Sequence, residues 1–157
     1  MNEEKKKTFA ARVSQANRSE LVVIMYDIIF DSIDEARNAL SQGSKEEFKR
    51  ELSRAQKLLR ELIATLDMQY DISKELMPLY LYANRCIIDS LRTMNVEPLE
   101  NAEIVLKPLG EAFSEVAKQD TSPSLMEHTQ QLYAGLTYGK GTLNETLLSG
   151  NSRGYKA

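Results

Sequence analysis

The chain reads as an all-α protein: an antiparallel four-helix bundle with an N-terminal arm and a C-terminal extension of short helices. Three observations predict it. Apolar residues recur at steps of three and four along four segments of about 20 residues each. The connectors between these segments are short, which makes successive helices antiparallel neighbours. No stretch shows the apolar–polar alternation of a half-buried strand. At 157 residues the chain has the size of one domain, long enough to bury roughly 70% of its unfolded surface. The bundle with its arm is placed at residues 1–118 and the extension at 119–157.

The first long helix contains "ELVVIMYDIIF", Glu20 to Phe30. Asn17 caps it, Glu20 three residues on completes a capping box, and the helix runs to about Ser41. Val22, Tyr26, Ile29, Ile33, Ala36 and Leu40 form one stripe, which suffices to face a core. Leu21, Ile24 and Ile28 lie off one flank and Val23 and Phe30 off the other, and this surplus is confined to the first turns. Two readings cover it. Neighbouring helices, or Phe9 and Val13 of the arm folding back, bury the flanks. Alternatively the flanks line a groove for a partner helix with anchors at i, i+3, i+4 and i+7, to which Met25, Met68, Met77 and Met94 lend adaptability.

The second helix, Lys45 to Leu66, carries Phe48, Leu52, Ala55, Leu59, Leu62 and Leu66 as a narrow stripe, and its charges read as a solvated face. The third begins with Asp71 as cap, carries Ile72, Leu76, Leu79, Ala83, Ile87 and Leu91, and ends near Met94. Pro78 is expected to kink or restart it. The fourth, about Pro98 to Lys118, presents Leu99, Ala102, Leu106, Leu109, Phe113 and Val116, with Pro108 and Gly110 weakening its middle. In the extension, Ser122 before Pro123 starts a short helix with Leu125, Thr129, Leu132 and Leu136 on one face. Thr142 and Glu145 open another at "LNETLL".

A net charge of −3 from 20 basic and 23 acidic residues argues against steered binding to nucleic acid or anionic lipid. No segment approaches the ~20 apolar residues that span a bilayer, so no membrane insertion is expected. The start, "MNEEKKKTFAARV", lacks the apolar run of a secretory leader. One cysteine, Cys86, forms no internal disulfide and, with the lone His128, no four-ligand zinc site, which fits a reducing cytoplasm.

Chemistry-bearing motifs are absent from the pattern. "GLTYGKGT" fails as a phosphate loop, since the spacing between its glycines is short, Gly141 stands where a hydroxyl is needed, and no strand precedes it. No Glu-x-x-His pair of the di-iron bundles occurs. His128 in "MEHTQQ" has no nucleophile or orienting partner beside it in sequence, although a phosphate-accepting histidine on a bundle remains a reading. No cofactor and no enzymatic activity are expected.

Against this background, "VSQANRSELVVIMYD" resembles the V-x-T-A-S-P-x-E-L…L-Y-D segment that opens the first long helix of the FliS family of flagellar export chaperones. Val13, Glu20, Leu21, Tyr26 and Asp27 match without a gap. Asn17 replaces the family's capping Ser, Arg18 its Pro, and Ile28 stands where Gly is common. "LIATLDM" resembles the end of the family's next helix. "LMPLYLYANR" resembles its L-x-x-L-Y-x-[FY]-x-x-R stretch through Leu76, Leu79, Tyr80, Tyr82 and Arg85. Leu106, Leu109 and Phe113 occupy the apolar places of its closing L-x-x-L-R-x-x-W, with Gly110 for the Arg and Phe113 for the Trp. The resemblance covers about residues 9–118 and leaves out the extension.

The resemblance implies a cytoplasmic chaperone that holds the disordered C-terminal segment of flagellin, prevents its premature polymerisation and helps deliver it to the export apparatus, with an export-gate component as a further partner. Together with the surplus flank it implies client contacts at Leu21, Ile24, Tyr26, Ile28, Leu76, Tyr80 and Ile87. Phe9 and Val13 are expected to cover part of that groove in the free protein, and Leu125, Leu132 and Leu136 to dock the extension on its own bundle. A histidine phosphotransfer bundle using His128 and a structural bundle without client are the readings from other classes.

Overall fold

Asn2, Asn17 and the helix-forming runs after them make the N-terminal arm a helix of its own, ahead of the first helix of the bundle. A computed structural model of the chain describes residues 1–126. Among them are five helices: α1 (Glu3–Gln15), α2 (Arg18–Ser41), α3 (Lys45–Ala64), α4 (Asp71–Thr93) and α5 (Glu97–Gln119). α2 packs against α3 and α5, and α4 packs against the same two, so the four long helices close a ring in which chain neighbours are antiparallel. Ile29, Ile33 and Ala36 of α2, Phe48, Leu52, Ala55 and Leu59 of α3, Ala83 and Ile87 of α4, and Leu99, Ala102 and Leu106 of α5 are fully buried between them.

The start of α2 follows the expected chemistry. Asn17 Oδ1 accepts from the Glu20 amide at 2.9 Å, and Glu20 Oε2 accepts from the Asn17 amide at 3.0 Å, so two otherwise unpaired donors are satisfied reciprocally. α3 stops at Ala64, and Leu66 belongs to the turn that follows. Asp71 is not a cap: Tyr70 holds that position without a side-chain bond, and Asp71 is the first helical residue. There its charge complements the helix dipole.

Pro78 neither breaks nor restarts α4, which is continuous from Asp71 to Thr93. The ring removes the bond that would run to the Lys74 carbonyl, and Pro78 and Lys74 are both exposed, so the loss falls on the watered side. Pro108, likewise exposed, lies within an unbroken α5. Gly110 has a positive role. A Cβ there would stand 3.2 Å from Phe30 Cε2 and 3.4 Å from Tyr26 Cδ1, so the missing side chain is what lets α5 approach the aromatic side of α2.

Glu51, in a segment whose charges read as solvent-facing, is fully buried instead. Its Oε1 accepts from the Met1 α-amino group at 2.7 Å, and its Oε2 accepts from Arg54. A buried carboxylate requires such partners. Arg37 of α2 likewise pairs with the nearly buried Glu103 of α5. Burial pushes the Glu103 carboxyl up, yet the hydrogen bonds from Arg37 and Lys107 outweigh it and hold it below the usual range.

α1 is the element that apolar periodicity does not reveal, because it buries none of its residues. Asn2 caps it by accepting from the Lys5 amide at 2.8 Å, and Glu3 and Glu4 in the first turn suit its dipole. Charge then fastens it along α2. Lys5 Nζ donates to Asp31 and to Glu35, each at 2.6 Å, and Arg12 pairs with Asp27 at 2.6 Å. The bonds to Asp31 and Glu35 hold the Lys5 ammonium well above the usual lysine range. The Lys5 bond holds Glu35 below the usual carboxylate range. Exposed pairs of this kind contribute about 0–1 kcal/mol each and are screened by salt. Raising salt from about 0.1 M to about 1 M is therefore expected to speed amide exchange across Thr8–Val13 while α3 stays protected. Acid acts in the same direction: a carboxylate with a lowered folded-state pKa contributes above its ordinary range and loses that contribution as the pH falls through the lowered value. Exchange in α1 indifferent to both salt and acid would show that apolar contact holds it.

Candidate functional site

The turn between α3 and α4 leaves one end of the bundle open. α2 contributes Leu21, Val22 and Met25 to that opening, α3 and the turn after it contribute Leu62 and Leu66, and α4 contributes Ile72, Leu76 and Tyr80. Phe113 of α5 and Leu125 complete an apolar groove of about 600 Å³, with Arg18, Thr65 and Ser73 at its polar edge. Leu62, Leu76 and Tyr80 are buried, the α2 residues are half-buried, and Ile72 stands 59% exposed. Met68 and Tyr70 on the turn, and Leu79 and Tyr82 on α4, are further exposed apolar side chains of this half of the molecule.

The groove works by burial rather than by proton chemistry. Tyr80 turns its hydroxyl into the core, 2.7 Å from that of Tyr26, and both rings are 1% exposed. Burial pushes both phenols up, so they stay neutral. Among the described residues no group of His, Cys, Asp and Glu is arranged to hold a metal ion, and no helix is long and apolar enough to cross a membrane. What this surface offers is apolar area, worth about 25 cal/mol per Å² covered, framed by few polar groups.

Of the residues expected to meet a client, Leu21, Leu76 and Tyr80 line this groove. Ile24 is buried on the opposite flank of α2, beside Arg12, Gln15, Ala16 and Ala117. Tyr26 lies in the core with its ring stacked on Phe113 at 5.7 Å between centroids. Ile28 is half-buried and Ile87 fully buried, neither on the groove wall. Phe9 and Val13 are half-buried on α1, which runs past Asp27, Asp31 and Glu35 rather than over the groove. Arg12 lies over the Phe9 ring at 5.7 Å. The arm thus shelters the Val23 and Phe30 flank, where Arg12 lines a shallow cleft with both. Leu62, Leu66, Ile72 and Phe113, which periodicity assigns to core stripes, line the groove as well. Their place at the ends of their helices was the signal that they also line an opening. Leu132, Leu136 and His128 lie outside the described residues.

The segment after α5 is tied to the α1–α2 junction. The Asn17 side-chain amide donates to the carbonyls of Asp120 and Ser122 at 3.2 and 3.3 Å, and Ser19 donates to the Asp120 carboxylate. The Leu125 amide donates to the Ala16 carbonyl at 3.0 Å. The hydrogen bonds from Ser122 and Ser19 hold the Asp120 carboxyl down at about 2.

A family model described as flagellar protein FliS matches residues 1–120. The chain belongs to the FliS family. A comparison with curated proteins gives no match. FliS proteins are flagellar export chaperones that bind flagellin, so membership places the chain in flagellum biogenesis, in a family of chaperones rather than enzymes. The matched region holds all five helices and ends where the segment tied to Asn17 begins.

Proposed function

We propose that this FliS-family chain acts in the cytoplasm, where it holds the disordered C-terminal segment of newly made flagellin, prevents its premature polymerisation and presents it to the export gate. The observation that carries this reading is the apolar groove between α2, α3 and α4. Apolar anchors of an extended or helical client segment fit such an opening, whose lining is mostly aliphatic and aromatic, with Arg18, Thr65 and Ser73 at its edge and the Tyr80 hydroxyl turned into the core. A disordered client loses ordering entropy on binding, which a long contact compensates. The client therefore wraps beyond the groove, with Leu21, Leu76 and Tyr80 as direct contacts, Ile24 and Ile28 on the further path, and Tyr26 and Ile87 supporting the helices from within.

Titration of the full chain with a flagellin C-terminal peptide tests this reading. Ile72→Asp is the informative variant, since Ile72 lines the groove while remaining 59% exposed. Binding should weaken at least tenfold, about 1.4 kcal/mol, with far-UV circular dichroism and thermal unfolding unchanged. Wild-type affinity in a folded Ile72→Asp variant would remove the groove from the client site. If the client wraps onto the second flank of α2, exchange over Thr8–Val13 should also change when peptide binds, because α1 lies on that path.

A further inference from the structure

Leu125 is the last feature of the groove in chain order, and it sits there by construction. Asn17, 3% exposed, fixes the chain at Asp120 and Ser122, and the Leu125 amide is tied to Ala16. Ser124 adds a bond from its hydroxyl to the Ser14 carbonyl at 3.3 Å. After α5 the backbone is therefore turned back across the α1–α2 junction and delivered to the groove, with the Leu125 side chain on its wall beside Leu21, Ile72 and Leu76. The detour lies beyond the bundle helices, since α5 is complete at Gln119, and it gives the buried Asn17 amide its acceptors.

We infer that the occupant of the groove in the free protein is the chain's own continuation, residues 127–148, with Leu132 and Leu136 as the anchors that follow Leu125. Their spacing from Leu125, seven and eleven positions, is the repeat that places side chains on one face of a helix. Residues 127–148 carry only Glu127, Lys140 and Glu145 as charged side chains, so entry into an apolar groove desolvates little charge. The segment is also covalently delivered. A tethered segment competes at an effective concentration that reaches the millimolar range, so weak docking suffices to fill the groove. Occupancy stands on the anchoring bonds and the sequence. That the tail competes with flagellin rests in addition on the proposed client site.

Photo-crosslinking in the full chain tests occupancy directly. With p-benzoylphenylalanine in place of Leu132, irradiation of the free protein should join position 132 to α2 near Leu21–Met25 or to α4 near Ile72–Leu76. In a mixture of isotopically heavy and light chains the linked peptides should come from one chain. Links to other surfaces, links between two copies, or no link at all would each overturn the inference. The second measurement uses Leu132→Asp/Leu136→Asp in the full chain. If the groove is open about a tenth of the time, flagellin-peptide affinity rises about tenfold. Unchanged affinity alongside the intramolecular crosslink would leave the tail in the groove and move the client elsewhere, so it would count against the proposed client site alone.

Discussion

Gly110→Leu is expected to destabilise the bundle by about 1–3 kcal/mol, through overpacking of the α2–α5 contact. Gly110 is buried in mid-helix, where leucine is the better helix former by roughly 1 kcal/mol, so propensity alone predicts a gain. Sterics oppose it. A single Cβ already meets Phe30 Cε2 at 3.2 Å and Tyr26 Cδ1 at 3.4 Å, and the remaining three carbons of leucine have no space between those rings. Tyr26 cannot swing aside without losing its bond to Tyr80 and its stack on Phe113. In a chain of this size each kcal/mol lowers the melting temperature by about 2–4 °C. Gly110→Ala is the internal control: its propensity gain and its tighter contact oppose each other, so it should melt well above Gly110→Leu. Equal melting of the leucine variant and the wild type would show that α5 does not approach α2 as closely as Gly110 permits.

The second large effect belongs to the tyrosine pair. Tyr80→Phe leaves the Tyr26 hydroxyl buried without its partner, at a cost of about 1–3 kcal/mol, and Tyr26→Phe does the same to Tyr80. Removing both hydroxyls leaves no orphan, so Tyr26→Phe/Tyr80→Phe should cost clearly less than the sum of the single changes. The cycle is read from urea midpoints at neutral pH. A second signature lies at alkaline pH. Both phenols are pushed up in the folded state, chiefly by burial, so their contribution is complete below the ordinary tyrosine range near 10 and is lost as the pH rises above it. Wild type should therefore lose stability faster above pH 10 than the double variant. Additive single costs, with parallel alkaline profiles, would mean that the two hydroxyls are independently satisfied.

The sequence carried the parts of the fold that local chemistry decides. The capping box at Asn17 and Glu20, the four apolar stripes and, among the described residues, the absence of strands were readable because each depends on residues a few positions apart. The expectations that failed depended on distant partners. α1 has caps and helix formers but no stripe, and its contacts are ions on α2. Glu51 looked solvated because Met1, fifty positions away, supplies its partner. Pro78 reads as a kink or restart, and α4 does not restart there because exposure of the affected turn is a tertiary property. For the site, Leu21, Leu76 and Tyr80 emerged from the surplus flank and the family pattern. Ile28 and Ile87, equally apolar, could not be separated from them without knowing which side of each helix meets a neighbour.

The bonds from Asn17 to Asp120 and Ser122 have a further consequence during synthesis. Asn17 and Asp120 are 103 positions apart, and ribosomes add about 5–20 residues per second. The junction that these bonds close therefore stays unclosed for roughly 5–20 s after Asn17 has been polymerised, and only its final part, from the end of α4 at Thr93 to Asp120, is an interval of roughly 1–5 s in which α2, α3 and α4 already exist. For that interval the nascent chain presents its apolar helix ends with neither Phe113 nor Leu125 beside them. A bundle assembled in this order has its apolar opening before it has the segment that completes the opening's wall.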